Sequence, residues 1–363
     1  AQAGVMISAS HNPFHDNGIK VFGGDGYKLP DSMEYELESI MAGSLPDLNR
    51  PSGADVGRAY RIEDARGRYI VFAKDTFPDS LSLRNLKLVV DCANGAGYQV
   101  APAVFEELGA DVIQLGIYPD GTNINRRCGA LHPEQMIEAV RREGADAGIS
   151  LDGDADRLIM CDEKGNLVDG DAVMALIGER LMKAGQLKKN RVVATIMSNL
   201  GLTRRMESLG ASVLQANVGD RYVLEMMRQG GYNFGGEQSG HMILLDHSRT
   251  GDGIITALQV LATMLSSDQP LSELADKFER FPQLNRTLKV ASKPPIEQLP
   301  LLQKTVTAAE ERMGRDGRTV VRYSGTENVL RIMVECLDEN LANEMLELIS
   351  TAALDSISAQ DVV

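Results

Sequence analysis

The sequence predicts a multi-domain α/β protein that ends in a smaller α+β unit. From about 61 to 282, strand-like apolar runs alternate with helical stretches, the pattern of stacked α/β layers. After 283 the order changes to strand, helix, strand, strand, helix. The length of 363 residues also exceeds the roughly 250–300 that one hydrophobic core organises. Boundaries are drawn accordingly at 1–60, 61–164, 165–282 and 283–363.

Composition narrows the function classes. Charged residues make up 24% and apolar ones 43%, an ordinary globular balance. A net charge of −14 argues against nucleic acid and against anionic membrane as partners. Phosphate binding stays open, because a local arginine cluster can overrule the mean field. No apolar run approaches the roughly 20 residues of a membrane-spanning helix, and the start lacks a secretory pattern. The four cysteines, Cys92, Cys128, Cys161 and Cys336, show no CxxC pair, so buried free thiols in a reducing cytoplasm are expected. The chain opens Ala1-Gln2-Ala3 directly before a strand, without an initiator Met, and is expected to lack its beginning.

Residues 4–7 are apolar and read as a buried strand. They run into Ser8-Ala9-Ser10-His11-Asn12-Pro13, where Pro13 holds Asn12 out of helical angles. A hydroxyl at the end of a strand is thereby lifted onto a loop. Ser10 is the candidate to carry a phosphoryl; a plain turn serine is the competing reading. After the Asn17-Gly18 turn, a strand over 19–22 carries Lys20, either a proton donor or phosphate clamp for that loop or a solvated lysine. Gly23 to Gly26 forms another turn, Asp31 opens an acidic helix to 41, and 43–57 reads as loop.

In the next stretch a helix over 62–74 precedes a buried strand at 86–91 and the turn Ala93-Asn94-Gly95-Ala96-Gly97. A helix (98–108) and a strand (111–115) complete a βαβ unit. The glycine turn lacks both the G-x-G-x-x-G spacing and a Walker lysine, so no nucleotide is expected. Asn123-Ile124-Asn125 is a polar loop, and Pro133 starts a helix to 142. An apolar strand then runs into Asp152-Gly153-Asp154-Ala155-Asp156-Arg157. Three carboxylates at alternating positions would repel one another unless a hard cation such as Mg²⁺ joined them. Arg157 would hold remaining negative charge. Three other readings compete: a calcium loop using Glu163, which has Arg157 where glycine is required; a strand-DxD phosphatase with Asp152 as nucleophile; and a structural Asp turn.

The α/β theme repeats to about 280. Asp169-Gly170-Asp171 caps a helix to 184, a strand spans 192–197, a helix 201–209, a strand 212–215 and a helix 220–227. Gly235-Gly236-Glu237-Gln238-Ser239-Gly240-His241 interrupts before a strand at 242–245, offering a carboxylate, a hydroxyl and an imidazole between glycines. The bland alternative is a flexible connector. A core helix covers 252–265. The last region has strands at 283–290, 319–323 and 329–336, and helices at 296–313 and from 339. Between its last two strands lies Arg322-Tyr323-Ser324-Gly325-Thr326-Glu327-Asn328, with Arg331 following. This is either a phosphate nest or a set of salt-bridged surface arginines.

Together these stretches resemble a known family. Ser8 to Pro13, Asp152 to Arg157, Gly236 to His241 and Arg322 to Glu327 match, in order and one per domain, the four signature loops of the α-D-phosphohexomutases. ISASHNP, NGIK, VGDRYV and GEQSGH look like its bacterial phosphoglucosamine mutase branch. The resemblance implies three related α/β domains with mixed sheets plus the C-terminal α+β domain. Family members carry a TDGIRG segment ahead of the serine loop, so the first sheet is expected to be incomplete here. By the same resemblance Ser10 is the phosphoserine, and it binds one Mg²⁺ with Asp152, Asp154 and Asp156. Lys20 and His241 are acid/base candidates, and Arg157 belongs to the catalytic set. Glu237 and Ser239 would hold sugar hydroxyls, while Arg322, Ser324, Gly325, Thr326 and Arg331 would grip the non-reacting phosphate. The implied reaction interconverts glucosamine 6-phosphate and glucosamine 1-phosphate through a 1,6-bisphosphate, feeding UDP-N-acetylglucosamine synthesis. Glucosamine or glucose 1,6-bisphosphate would be intermediate and activator, the partner a small sugar phosphate, and a homodimer an allowed assembly. Closure of the C-terminal domain over the cleft is expected to exclude water. A relative acting on glucose or mannose phosphates, or a truncated binding module, are the alternatives. Two departures stand out: Asn328 replaces the usual Pro, and Ala155 replaces Gly, a small change if its backbone angles are negative.

Overall fold

The computed structural model describes all residues except 44–49, 326, 358, 362 and 363. Thr326 and part of the loop expected over 43–57 therefore lie outside the described residues. The chain divides into two compact units, Ala1–Val173 with Ser239–Leu274, and Met174–Gln238 with Ala275–Val363.

The first unit opens on an antiparallel hairpin, β1 (Ala3–Ser8) and β2 (Gly18–Gly23), with Met6 opposite Lys20. The expectation of a buried strand fails here. Val5 is 68% and Ile7 73% exposed. The two-residue side-chain period puts both on one open face with Ile19, while Met6 and Ser8 turn to the other side. Helices α1 (Asp31–Ala42) and α2 (Ala65–Lys74) follow.

Strand β3 (Lys87–Asp91), helix α3 (Val100–Glu107), strand β4 (Asp111–Leu115), helix α4 (Glu134–Glu143) and strands β5 (Ala147–Leu151), β6 (Leu158–Asp162) and β7 (Leu167–Val168) build the main sheet. Its order is β4-β3-β5-β6-β7. β3 runs parallel to β4 and β5, and β6 returns antiparallel to β5. β5 is buried along its whole length, as a strand covered on both faces must be. The parallel strands β3 and β5 end side by side, so the loops leaving them meet: Ala96 N donates to Gly153 O at 2.8 Å. Ligand sites form at such carboxyl ends of parallel strands.

Helix α5 (Gly170–Lys183) leads into the second unit. There β8 (Arg191–Thr195), α6 (Leu200–Ser208), β9 (Ser212–Ala216), α7 (Asp220–Gly230) and β10 (Phe234–Gly236) form a parallel layer in the order β10-β8-β9. The chain returns to the first unit for β11 (Met242–Leu244), α8 (Gly253–Ser267) and α9 (Leu271–Ala275). α8 is buried from Gly253 to Met264. The second unit closes with β12 (Gln283–Val290), α10 (Pro300–Met313), β13 (Gly317–Tyr323), β14 (Val329–Cys336), α11 (Glu339–Ser356) and β15 (Ala359–Asp361). This antiparallel sheet runs β13-β14-β12-β15. Leu288, Leu330, Ile332 and Val334 pack there against Leu302, Met345 and Ile349 of α10 and α11. The helix expected from 296 begins only at Pro300, whose missing N–H costs nothing in a first turn. All four cysteines are buried free thiols. No helix among the described residues is long and apolar enough to cross a membrane.

Candidate active site

β5 and β6 pair as far as Leu151 opposite Leu158, so residues 152–157 make a tight loop. Ala155 N closes it onto Asp152 O at 3.0 Å. Ala155 has φ 61, so the condition under which its replacement of Gly would be a small change is not met: the alanine sits in the left-handed region that glycine tolerates best. The curl brings carboxylate oxygens of Asp152, Asp154 and Asp156 within 4.8 Å of one another. Asp152 Oδ2, Asp154 Oδ1 and Asp156 Oδ1 are buried without a hydrogen-bond partner among the described residues. Burial, then the charges of Asp156 and Asp154, push the Asp152 carboxyl up to about 8. Asp154 moves the other way: burial would raise it, but Lys20 Nζ at 2.8 Å and Ser8 Oγ at 2.9 Å hold it below the usual range. Orphaned, converging oxygens of this kind fit a hard divalent cation. Glu163 belongs elsewhere, accepting from Ser272 N at 3.2 Å and from its hydroxyl.

The serine loop lies against this cluster. Ser8 Oγ donates to Asp154 and accepts from Ser10 N at 2.8 Å, tying the loop backbone to the trio. Ser10 has φ 49. Its hydroxyl stands 3.3 Å from His11 Nδ1. Burial, then Arg157, lower the His11 pKa. Gly153 permits the close approach, since a Cβ there would collide with Ser10 O. Lys20 Nζ reaches Asp154 Oδ2 at 2.8 Å. Arg157 N donates to Asp152 Oδ1 at 3.1 Å, and Arg157 Nε is buried without a partner among the described residues.

His241 is 4% exposed, with Nδ1 3.4 Å from Asp156 Oδ1. The strand-like pairing of Arg157 with His241, and Leu158 N donating to Gly240 O at 3.0 Å, seat it behind the trio. Gly251 is required beside it, because a Cβ would meet the ring. Ser239 is exposed in the same unit. Two residues invisible to sequence reading join this region: Tyr69 donates to both Asp252 oxygens at 3.0 and 2.9 Å, and Asp252 caps α8. A cavity of about 450 Å³ is lined by Lys20, Tyr69, Asp154, Asp156 and Asp252.

In the second unit, Glu237 accepts from Gly219 N at 3.1 Å. Arg322 and Arg331 are directly opposed on β13 and β14 and share a cavity of about 270 Å³ with Asn285 and Thr287. Burial, then the Arg331 charge, lower the Arg322 pKa. Arg331 also pairs with Glu327 at 2.7 Å. Ser324 is buried, its hydroxyl accepting from Glu327 N at 3.3 Å, and Gly325 is exposed.

Four domain descriptions of one family match along the chain. They are phosphoglucomutase/phosphomannomutase α/β/α domains I (residues 1–45), II (68–165) and III (169–281), and the C-terminal domain (284–352). The phosphoglucosamine mutase of Citrifermentans bemidjiense is 56% identical over 339 residues, 93% of this chain and 75% of its own length. The chain belongs to the phosphoglucomutase/phosphomannomutase family. Another member, the phosphoglucosamine mutase of Sorangium cellulosum, is 54% identical over 99% of this chain and 75% of its own. Among solved structures of the same fold, a family protein from Burkholderia thailandensis aligns with a TM-score of 0.79 at 21% identity, covering 98% of this chain and 76% of that one. Aspergillus fumigatus N-acetylphosphoglucosamine mutase, solved with GlcNAc-6P and magnesium, gives 0.77 at 20%, over 98% of this chain and 89% of that one.

Proposed function

We propose that this family member is a phosphoglucosamine mutase, an intramolecular phosphotransferase interconverting glucosamine 6-phosphate and glucosamine 1-phosphate. The observation that carries the reading is a strained serine tied through Ser8 to a buried aspartate trio with three orphaned oxygens. Phosphoryl transfer asks for in-line positioning and neutralised charge. Ser10 is assigned as the carrier and Asp152, Asp154 and Asp156 as holders of Mg²⁺. A bound Mg²⁺ would offset the charge of the phosphoryl on Ser10.

Each group of this chain then has a task. A sugar hydroxyl attacks phosphorus as the bond to Ser10 Oγ breaks, and the proton the hydroxyl gives up is returned to Oγ, with Lys20 the candidate to relay it. Arg157, with its unpartnered Nε, takes phosphoryl charge. His241 steadies Asp156 from behind. Glu237 and Ser239 are assigned to sugar hydroxyls, and Arg322, Ser324, Gly325, Thr326 and Arg331 to the phosphate that is not reacting. The 1,6-bisphosphate is the intermediate, and glucosamine or glucose 1,6-bisphosphate primes the serine. The four-way division at 60, 164 and 282 is part of the same proposal.

Peptide mass spectrometry tests it. Incubation with glucose 1,6-bisphosphate and Mg²⁺ is expected to place one phosphoryl on Ser10, to be removed by a chase of glucosamine 6-phosphate, and Ser10→Ala is expected to take none. Wild-type protein that takes up no phosphoryl refutes the assignment. Faster turnover of glucose or mannose phosphate than of glucosamine phosphate would move the chain to the alternative substrates.

A further inference from the structure

One side chain beside Ser10 has no role so far. Asn125 lies in the polar loop after β4, in the left-handed region at φ 57. Its Nδ2 donates to Ser10 O at 2.7 Å and to Asn12 O at 2.8 Å, across 115 positions of sequence. Both acceptors are carbonyl oxygens, so only the NH₂ end of the amide can face them. Aspartate has the same shape but no donor, and glutamine is one methylene too long for this seat.

The seat itself is rigid. Asn125 N donates to Ala93 O at 2.9 Å. The buried Asp91 carboxylate at the end of β3 accepts from Ala93 N at 2.9 Å and Gly129 N at 2.7 Å, pinning both loops to that strand. β3 is the parallel neighbour of β5, which runs into the trio. Asn125 therefore refers the serine loop to the sheet that carries the aspartates. Ser8 does so from the other side through Asp154. A non-glycine residue in a left-handed conformation persists only where its surroundings over-determine it, and Ser10 is held by these two anchors.

We propose that Asn125 is a positioning residue for phosphoryl transfer at Ser10: its amide grips the carbonyls on either side of His11 and holds Oγ in one orientation. The proposal rests on the assignment of Ser10 as carrier. In the step concerned, Ser10 Oγ bonds to phosphorus as the bond from phosphorus to a bisphosphate oxygen breaks. The hydroxyl proton passes to that oxygen, so charge and atoms balance. Without the grip, the loop still forms its Ala9–Asn12 turn, but the angle of attack is free to wander.

The experiment measures phosphoryl uptake from glucose 1,6-bisphosphate by intact-protein mass spectrometry in four proteins: wild type, Asn125→Asp, Asn125→Gly and Asn123→Asp. Gly keeps the left-handed backbone and removes the amide. The Asn123 side chain accepts from Asp120 N and donates to Tyr118 O, and serves as control. Both Asn125 variants are expected to lose roughly tenfold to a hundredfold in maximal rate, the scale of a misplacement of about 1 Å. Half-saturating bisphosphate and melting temperature stay unchanged, and the control matches wild type. Wild-type protein that takes up no phosphoryl sinks the Ser10 assignment and says so by itself. Uptake by wild type with Asn125→Asp equally fast overturns the positioning role. A slow variant whose loss tracks a lowered melting temperature, or appears wholly in half-saturation, overturns it too.

Discussion

Ala155 stands at φ 61, the fourth of the six loop residues from Asp152 to Arg157. A left-handed alanine costs about 1–2 kcal/mol, and glycine there gives back roughly 0.5–1 kcal/mol of it in unfolded-state entropy. Ala155→Gly is therefore expected to stabilise the protein by about 0.5–1 kcal/mol, read from the midpoint of urea unfolding. A clear destabilisation would mean that the packing of its methyl outweighs the strain. The backbone angle was invisible in the sequence, whereas the trio was not. Asp152, Asp154 and Asp156 are contiguous, and a strand followed by alternating carboxylates determines their convergence locally. Asn125 and Tyr69 are legible only in space, since their partners lie 115 and 183 positions away. Nothing near either of them in the chain distinguishes it from a loop amide or a helix-face tyrosine.

At the scale of elements, α5 and α6 are tied by Glu179, which accepts from Arg205 at 2.5 Å and pairs with Lys183 at 2.7 Å. Burial would raise its pKa, but the hydrogen bonds from Lys183 and Arg205 prevail and lower it. A depressed folded pKa means stability that is full above the ordinary glutamate value and is lost as pH falls through the folded one. Glu179→Gln is expected to melt earlier than wild type at neutral pH, with the gap closing in acid. A gap that is constant down to about pH 3, below the reference glutamate pKa of about 4.3, would remove charge from the explanation. The helices themselves were readable from their apolar period, whereas the caps Asp252 and Asp338, which accept from the first-turn amides of α8 and α11, emerge only in the structure. β10 was not readable. Gly235 and Gly236 look like loop, yet Gly235 lies beside Val193 because a side chain would strike that strand. The misjudged burial of β1 has a similar cause: an apolar run states what could be covered, and only the neighbouring layers decide whether it is.

At the scale of the molecule, each unit is assembled from two separated stretches of chain, and in the second unit a buried carboxylate helps to join them. Glu335 of β14 is fully buried and accepts from Asn199 Nδ2 at 3.1 Å, Leu200 N at 3.2 Å and Gln283 Nε2 at 2.9 Å, with the Arg318 guanidinium beside them. Asn199 in turn caps α6 through Gly201 N and exchanges hydrogen bonds with the Phe281 backbone. Removing the carboxylate would leave Arg318, only 15% exposed, without its counter-charge and take the acceptor from Leu200 N. Breaking such a pair from one side costs about 3–5 kcal/mol, well above the value of any one of its hydrogen bonds. Glu335→Ala should therefore weaken the second unit by that amount, seen as faster amide exchange in β12 and β14. Glu335→Gln keeps the shape and one acceptor, and its loss should be smaller. If the two variants were equally mild, the carboxylate would be ornamental, and the joining of the parallel layer to the antiparallel sheet would have to rest on the remaining contacts, such as Asn199 with Phe281 and Arg204 with Asp316.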